Sequence, residues 1–145
     1  MPLAHALQRN EDLWNAHKFR TTFKNTPHGD VDDIWLRYSE PEAVLNPDDI
    51  RPIIASHEVT WYEAAHELPF KPIVCDLMRR VEAYSLERLL ITRLKPGGRI
   101  LPHADNAGEY VHQGDIGRYH VVLQGYPGSL MRCGEFLQRA AGVEG

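Results

Sequence analysis

The pattern of apolar and polar positions predicts helices in the first half of the chain and strands mainly in the second. Apolar residues at helical spacing predict helices over residues 3–14, 60–68 and 72–84. Alternating positions and β-branched residues predict strands over residues 34–38, 50–56, 99–105, 119–123 and 129–133, with a further strand starting at Leu89. Segregated helices and strands favour an α+β fold, in which a helical layer covers an antiparallel sandwich or barrel.

Length and composition limit the classes of protein that the chain can represent. Its 145 residues suit one domain, with 43% hydrophobic and 25% charged residues. A net charge of −4, with scattered basic residues, argues against nucleic-acid binding and membrane-surface binding. No apolar run approaches the ~20 residues needed to span a bilayer, and the N-terminus lacks a signal peptide's apolar core. Two widely separated cysteines indicate free thiols. We therefore expect a cytoplasmic protein with a single domain over residues 1–145.

Residues 89–125 carry the densest set of chemically active side chains. His103 and Asp105 lie two positions apart after a Pro-Gly-Gly turn, so a strand would project both to one side. Arg118 and His120 share one face of the strand predicted next. The four side chains can therefore converge in a cavity between strands. The alternative for each pair is structural, with the first pair bonded to backbone and the second on a solvated face.

The spacing of these residues resembles a known enzyme family. The pattern PG-x4-PH-x-D over residues 96–105, followed by R-x-H and three aliphatic residues over 118–123, is similar to that of aspartyl/asparaginyl β-hydroxylase-like oxygenases. These enzymes depend on Fe(II) and 2-oxoglutarate. The resemblance implies a double-stranded β-helix, which is a jelly-roll or cupin-like barrel, with N-terminal helical cover. It also implies hydroxylation of a second substrate, a small molecule or a peptide, with oxidative decarboxylation of 2-oxoglutarate.

The resemblance also implies roles for individual residues. His103 and Asp105 match two ligands of the iron site, and imidazole and carboxylate both suit Fe(II). Arg118 and His120 match residues at the cosubstrate or substrate, and a guanidinium suits carboxylate recognition. Thr92 matches a hydroxyl residue that binds the distal carboxylate of 2-oxoglutarate. A threonine chosen only for its strand propensity is an equally good explanation of that position.

Weaker candidates surround this set. Trp35 and Arg37 alternate onto one face of a predicted strand, where they can line a substrate pocket. Tyr110 lies in the glycine-rich loop over residues 106–117, beside the expected metal. Arg20 is a candidate by position alone.

The sequence departs from the family pattern at its C-terminal side. The pattern places a further histidine ligand, and a basic residue after it, several tens of residues beyond Asp105. No histidine follows His120. We therefore expect a barrel lacking its last strands, weak iron binding, little turnover by this chain, and self-association through an open sheet edge. The alternatives are a cupin-like metal-binding protein that does not use 2-oxoglutarate, and an inactive binding or structural domain on the same barrel.

Overall fold

The computed structural model describes residues 2–39, 59–103 and 117–133, and the backbone of 136–139. The helices are α1 (Pro2–Arg9), α2 (Phe19–Thr22), α3 (Ala64–Glu67) and α4 (Lys71–Arg80), with a 3₁₀ turn at Glu11–Leu13. The strands are β1 (Val31–Ser39), β2 (Val59–Trp61), β3 (Leu89–Leu94), β4 (Leu130–Cys133) and β5 (Phe136–Arg139). The predicted α+β class is confirmed.

The strands form two antiparallel sheets. The larger has the order β2-β1-β3, and β4 pairs with β5 in a separate two-stranded sheet. Over the described ranges the three-stranded sheet is open, so the predicted jelly-roll barrel is not confirmed. No helix in these ranges is long and apolar enough to cross a membrane.

The core lies on one face of the larger sheet. Ile34 and Leu36 of the central strand are 1% and 0% exposed, and Ile91 of β3 pairs with Ile34 across the strands. Helices α1 and α3 and the segment after α3 cover them, contributing the buried residues Leu3, Ala6, Ala64, Ala65, Leu68 and Phe70. Each fully buried aliphatic side chain of this size stabilises the fold by about 1.5–3 kcal/mol relative to exposure.

A β-bulge in β1 decides which side chains share a face. Trp35 pairs with Leu90, but Arg37 pairs with Leu89, so the strand register shifts between the two. Adjacent residues of β3 point to opposite faces, and Trp35 and Arg37 therefore do so as well. The prediction that these two residues share a face is wrong, because simple alternation does not allow for the extra residue. The bulge instead brings Tyr38 to Trp35, with ring centroids 4.3 Å apart.

Several predicted element boundaries are corrected. The first two residues of the helix expected over 60–68 belong to strand β2, which pairs with the end of β1, and only residues 64–67 are helical. β1 begins at Val31 rather than Ile34, and α4 ends at Arg80. The helix expected over residues 3–14 ends at Arg9 and continues as the 3₁₀ turn. The strand predicted over residues 50–56 lies outside the described residues.

Of the segments expected to be strands after β3, residues 129–133 form β4 as predicted, whereas the other two are irregular where the structure describes them. Residues 99–103 follow a turn in which Gly97 has a φ of 75°. There the N–H of Arg99 donates to the carboxylate of Asp30 at 3.1 Å, and the N–H of Leu101 donates to the carbonyl of Pro27 at 3.0 Å. The backbone therefore pairs with the loop before β1 instead of with a strand.

Residues 117–122 also lack strand pairing. Tyr119 and Val121 are 52% and 48% exposed, and Leu123 packs against the core. The alternation of these residues therefore does not mark a buried strand face.

Asp32 anchors the face of the sheet that also carries the core. It is 4% exposed and accepts a hydrogen bond from the side-chain amide of Asn15 at 2.6 Å. Arg93 and Lys95 reach the same carboxylate at 3.0 and 3.1 Å. Arg93 also pairs with Glu11 at 3.0 Å. Burial raises the pKa of Asp32, but the three donors outweigh it and hold this pKa below its usual value.

We expect Asp32→Asn to lower the free energy of unfolding at neutral pH by on the order of 1–3 kcal/mol. Because the folded-state pKa of Asp32 is depressed, its contribution is present above the unfolded pKa of about 4 and is lost as pH falls through the folded pKa. The difference between variant and parent should therefore shrink below about pH 4. Urea unfolding from pH 7 to pH 2.5 measures it.

The matched control is Asp76→Asn, which removes an exposed carboxylate whose partners are Arg79 and Arg80 on α4. Exposed pairs contribute little, so this variant should stay close to the parent at every pH. A destabilisation by Asp32→Asn that does not change with pH would contradict the assigned role of the charge.

Candidate functional site

The face of the larger sheet opposite the core carries the candidate site, and we call it the site face. Asp33 and Thr92 are cross-strand partners on β1 and β3, so their side chains project to the same side. Trp35 lies two residues along β1 from Asp33, and the bulge adds Tyr38. The site face therefore combines polar and aromatic side chains, whereas the other face packs against helices.

A buried ion pair lies at the centre of the site face. The side chain of Asp33 is fully buried, and one of its oxygens accepts a hydrogen bond from the Arg20 guanidinium at 2.5 Å. The hydroxyl of Thr92 donates to its other oxygen at 2.9 Å. A buried carboxylate requires such partners, because isolated burial of the charge is strongly unfavourable. Arg20 comes from α2, so this pair also ties the N-terminal segment to the sheet.

Asn15 connects the two faces through the backbone of β1. Its N–H donates to the carbonyl of Asp33 at 2.8 Å, and its side-chain oxygen accepts from the N–H of Asp33 at 3.1 Å. Its side-chain amide donates to Asp32 on the opposite face. Asn15 adopts a φ of 59°, a left-handed conformation that asparagine tolerates better than most residues.

Two histidines extend the polar chain from Arg20. A guanidinium nitrogen of Arg20 lies 3.3 Å from Nδ1 of His28. The ring of His28 meets that of His103 edge-on, with centroids 4.7 Å apart. The chain Asp33, Arg20, His28, His103 is therefore continuous from the sheet to the segment after β3.

The ring of His103 is held by its own backbone. Its Nδ1 lies 2.7 Å from the carbonyl oxygen of Leu101. A carbonyl oxygen only accepts hydrogen bonds, so Nδ1 is the donor, and in a neutral ring the lone pair is then on Nε2. Metal-binding histidines commonly use this arrangement, in which one nitrogen donates to a carbonyl and the other can hold the metal.

Aromatic rings fill the other end of the site face. His17 stacks on Trp35 with centroids 5.2 Å apart, and Tyr62 meets Trp35 edge-on at 5.4 Å. The hydroxyl of Tyr62 donates to the carbonyl of Ser39 at 2.6 Å. Burial lowers the pKa of His17, which favours the neutral ring at neutral pH.

Positive charge surrounds Tyr38. The guanidinium of Arg88 lies over its ring at 5.1 Å, a distance suited to a cation–π interaction. Burial raises the pKa of Tyr38, and the charges of Arg88, Arg20 and Arg118 only partly oppose this rise. The phenol therefore remains protonated and can donate a hydrogen bond.

The structure brings some of the predicted site residues together. Trp35 and Thr92 lie on the site face, His103 joins it through His28, and the charge of Arg118 acts on Tyr38. Arg37 lies on the other face, over the ring of Trp61 at 5.1 Å.

The structure does not test the roles predicted for three further residues. His120 is exposed in an irregular segment, and Asp105 and Tyr110 lie outside the described residues. Within the part of the chain that is described, no three or more His, Cys, Asp or Glu residues are grouped so that they could hold a metal ion. The metal and cosubstrate roles stay predictions.

Five residues described above at the site face were not predicted from the sequence: His17, His28, Asp33, Tyr38 and Tyr62. Asp33 lies just outside the strand predicted over residues 34–38, and aspartate is disfavoured in strands. Two adjacent aspartates directly before an apolar alternating segment were the available signal, because acidic residues that enter a strand must find partners. Nothing in the local sequence indicates Tyr38, whose position depends on the bulge.

Compared with protein-family models, curated proteins and solved structures, the chain has no match. A functional proposal therefore depends on the chain's own residues and their geometry.

Removing Arg20 should be strongly destabilising, because it leaves the Asp33 charge buried without its cation. We expect Arg20→Met to lower the free energy of unfolding by about 3–5 kcal/mol and Thr92→Val by about 1 kcal/mol. The double variant Arg20→Met/Asp33→Leu should lose less than the sum of its single variants, since it removes both charges together. Urea unfolding measures all of them.

Arg80→Met provides the control, because Arg80 pairs with Asp76 on an exposed helix surface. It should change the stability by less than about 1 kcal/mol. Equal effects of the Arg20 and Arg80 substitutions would show that the buried pair contributes no more to the free energy of unfolding than the exposed pair.

Proposed function

We propose that the chain is a 2-oxoglutarate- and Fe(II)-dependent dioxygenase of the aspartyl/asparaginyl β-hydroxylase-like family. One observation carries the proposal: Nδ1 of His103 donates to the carbonyl of Leu101 at 2.7 Å, so in the neutral ring Nε2 holds the lone pair. His103 is the histidine of the PH-x-D pattern, and this hydrogen bond leaves its Nε2 available as the ligand atom for iron.

The donor set suits the metal. Imidazole and carboxylate both bind Fe(II), and His103 and Asp105 provide one of each. Bound Fe(II) would supply the chemistry of oxidation by O2, in which one oxygen atom enters succinate as 2-oxoglutarate loses CO2 and the other converts a substrate C–H into C–OH. The chain's own residues orient the ring that would bind the metal. The Leu101 carbonyl fixes the ring of His103, and His28 packs against that ring.

The cosubstrate roles follow from the same pattern. Arg118 brings a permanent positive charge toward the site face, which suits a carboxylate of 2-oxoglutarate or of the substrate. Thr92 lies on that face beside Arg20 and Asp33. His120 is assigned to the cosubstrate by the R-x-H pattern alone.

The finer fold assignment belongs to the same proposal. A double-stranded β-helix needs an antiparallel sheet with one face toward a site and the other against cover. The sheet β2-β1-β3 has this division, with a polar and aromatic site face and a helix-covered core face. We infer that it is one wall of such a barrel.

One observation favours the alternative of a metal-binding protein that does not use 2-oxoglutarate. The hydroxyl of Thr92 already donates to the buried Asp33 at 2.9 Å. A carboxylate of 2-oxoglutarate accepts hydrogen bonds and cannot donate one, so it would have to replace Asp33 as the acceptor. In this alternative Thr92 serves the buried ion pair, and His103 and Asp105 keep the metal.

His103→Ala and Asp105→Ala should each weaken divalent-metal binding by about tenfold or more, because each removes a direct ligand. Anaerobic calorimetric titration with Mn(II), a redox-stable substitute for Fe(II), measures the affinity. His66→Ala, which removes an exposed histidine on α3, is the control and should bind like the parent. Unchanged affinity in both site variants would exclude these residues as ligands.

His120→Ala should leave Mn(II) affinity nearly intact and weaken 2-oxoglutarate binding. The readout is the rise in melting temperature that 2-oxoglutarate produces in the presence of Mn(II), which follows ligand affinity. A collapse of metal binding would instead identify His120 as a metal ligand. No rise in the parent chain, despite Mn(II) binding, would favour the alternative without 2-oxoglutarate.

A further inference from the structure

The loop before β1 is hydrogen-bonded to the segment after β3. The carbonyl of Pro27 accepts from the N–H of Leu101 at 3.0 Å. Gly98 allows the two segments to approach closely, because a Cβ there would lie only 3.2 Å from the Cβ of Asp30. The segment after β3 is therefore fixed against residues 27–30, which we call the clamp loop.

The clamp loop is itself fixed at His28. The backbone N–H of His28 donates to the hydroxyl of Thr26 at 3.1 Å, and its carbonyl accepts from the N–H of Val31 at 3.3 Å. The hydroxyl of Thr26 in turn donates to the carbonyl of Arg20 at 2.7 Å, and the Arg20 guanidinium lies 3.3 Å from Nδ1 of His28. Since Arg20 is paired with the buried Asp33, both the ring and the backbone of His28 are tied to the central strand.

The contact with Arg20 determines what the ring of His28 can do. A guanidinium only donates, so Nδ1 of His28 is the acceptor, and the proton of the neutral ring is then on Nε2. Neither nitrogen offers a lone pair to a metal ion. The ring instead meets that of His103 edge-on, with centroids 4.7 Å apart. His103 lies exposed in an irregular segment, where an imidazole without contacts samples several rotamers.

We propose that His28 is a positioning residue, whose ring holds the imidazole of His103 in the orientation in which Nδ1 donates to Leu101 and Nε2 is the atom that can bind a metal ion. The buried pair of Arg20 and Asp33 provides the fixed point for this ring. His28 acts through His103 and does not touch the metal. The orientation of the ring is a property of the metal-free chain, and only its consequence for metal binding rests on the proposed function.

Three substitutions separate the contact of His28 with His103 from its contact with Arg20. His28→Phe keeps an aromatic ring beside His103 but removes the acceptor for Arg20. His28→Asn keeps an acceptor for Arg20 but removes the ring, and His28→Ala removes both. The phenylalanine variant should therefore resemble the parent, and the other two should lose the orientation of His103.

The first readout needs no metal. In a ¹⁵N-labelled chain above about pH 8, where imidazoles are neutral, two-bond couplings to the ring protons distinguish a proton on Nδ1 from one on Nε2. His103, assigned by the signal that is missing from His103→Ala, should carry its proton on Nδ1 in the parent and in His28→Phe. It should shift toward the Nε2–H tautomer, which free histidine prefers, in His28→Asn and His28→Ala. Equal tautomer populations in the parent and all three variants would overturn the proposal.

The second readout is anaerobic calorimetric titration with Mn(II). His28→Asn and His28→Ala should weaken binding by about tenfold, the low end of the range for residues that orient a metal-binding histidine, and His28→Phe by less than about threefold. A loss in His28→Phe as large as that in His103→Ala would identify His28 as a ligand and overturn the proposal. Intact affinity in His28→Asn with a loss in His28→Phe would show that His28 serves Arg20 rather than His103, and would overturn it as well.

Ile34→Val and His66→Asn are the controls. The first removes a methyl group from the buried core cluster, so it lowers the stability away from the clamp loop. The second removes an exposed histidine on α3. Both should keep the His103 tautomer and the Mn(II) affinity of the parent. A loss of affinity that Ile34→Val shares, in proportion to stabilities measured by urea unfolding, would mean that His28 contributes only to the fold and would refute its positioning role.

The two readouts distinguish failure of this role from failure of the proposed function. A tautomer that depends on the ring at residue 28, in a parent chain that binds no Mn(II), supports the role of His28 and refutes the proposed function. Binding of Mn(II) that His103→Ala abolishes, with neither readout changed by the His28 variants, supports the proposed function and refutes the role of His28.

A measurement on the unmodified chain protects the test against variants that fail to fold. Nuclear Overhauser effects should connect the ring protons of His28 and His103, whose centroids lie 4.7 Å apart. Their absence from the folded parent would overturn the proposal whatever the variants do.

Discussion

The buried charge of Asp33 is the constraint on which the site face depends. It lies on the central strand with no exposure of its side chain, so the fold must supply a cation and a hydroxyl at fixed positions. Arg20 comes from the N-terminal segment and Thr92 from β3, so the buried carboxylate holds both of these parts of the chain against the central strand. The ion pair fixes the arrangement of a face that lacks a hydrophobic core. His28 contacts Arg20 of this pair, and His103 contacts His28.

The bulge in β1 determines what kind of site this face becomes. Without it, Arg37 would follow Trp35 on the same face and Tyr38 would point into the helix-covered core. With it, a phenol and an indole lie together, and a strand buried on both sides presents aliphatic residues to one layer and hydrogen-bond donors to the other. A single extra residue thus places the side chains that pack the core on one face of the strand and the hydrogen-bond donors on the other.

Local pattern predicted the elements whose stability is local or depends on simple alternation. Helix α4, strand β3, the turn at Gly97 and the middle of β1 were all anticipated, and so was the α+β class. The irregular segments over residues 99–103 and 117–122 were not, because the former bonds to the loop at Pro27 and Asp30, some seventy residues earlier. No periodicity in a short window contains that information.

The candidate site shows the same contrast between features that are local in the sequence and features that depend on distant residues. His103 and Thr92 could be identified from spacing, because their pattern is contiguous in sequence. Asp33 could not, and Arg20 was a candidate by position alone, since a charge becomes informative only when its burial and its partner are known. Thr92 lies 59 residues from Asp33. The positions that sequence reasoning missed are those defined by long-range pairing.

Asn15 gives the two faces of the sheet a common mechanical support. It exchanges two hydrogen bonds with the backbone of Asp33 and gives a third to the side chain of Asp32, which points the other way. One side chain thus serves two aspartates that project to opposite faces of the sheet. The hydrogen bonding beneath the site and that of the Asp32 carboxylate on the core face therefore share a residue, and its replacement would disturb both at once.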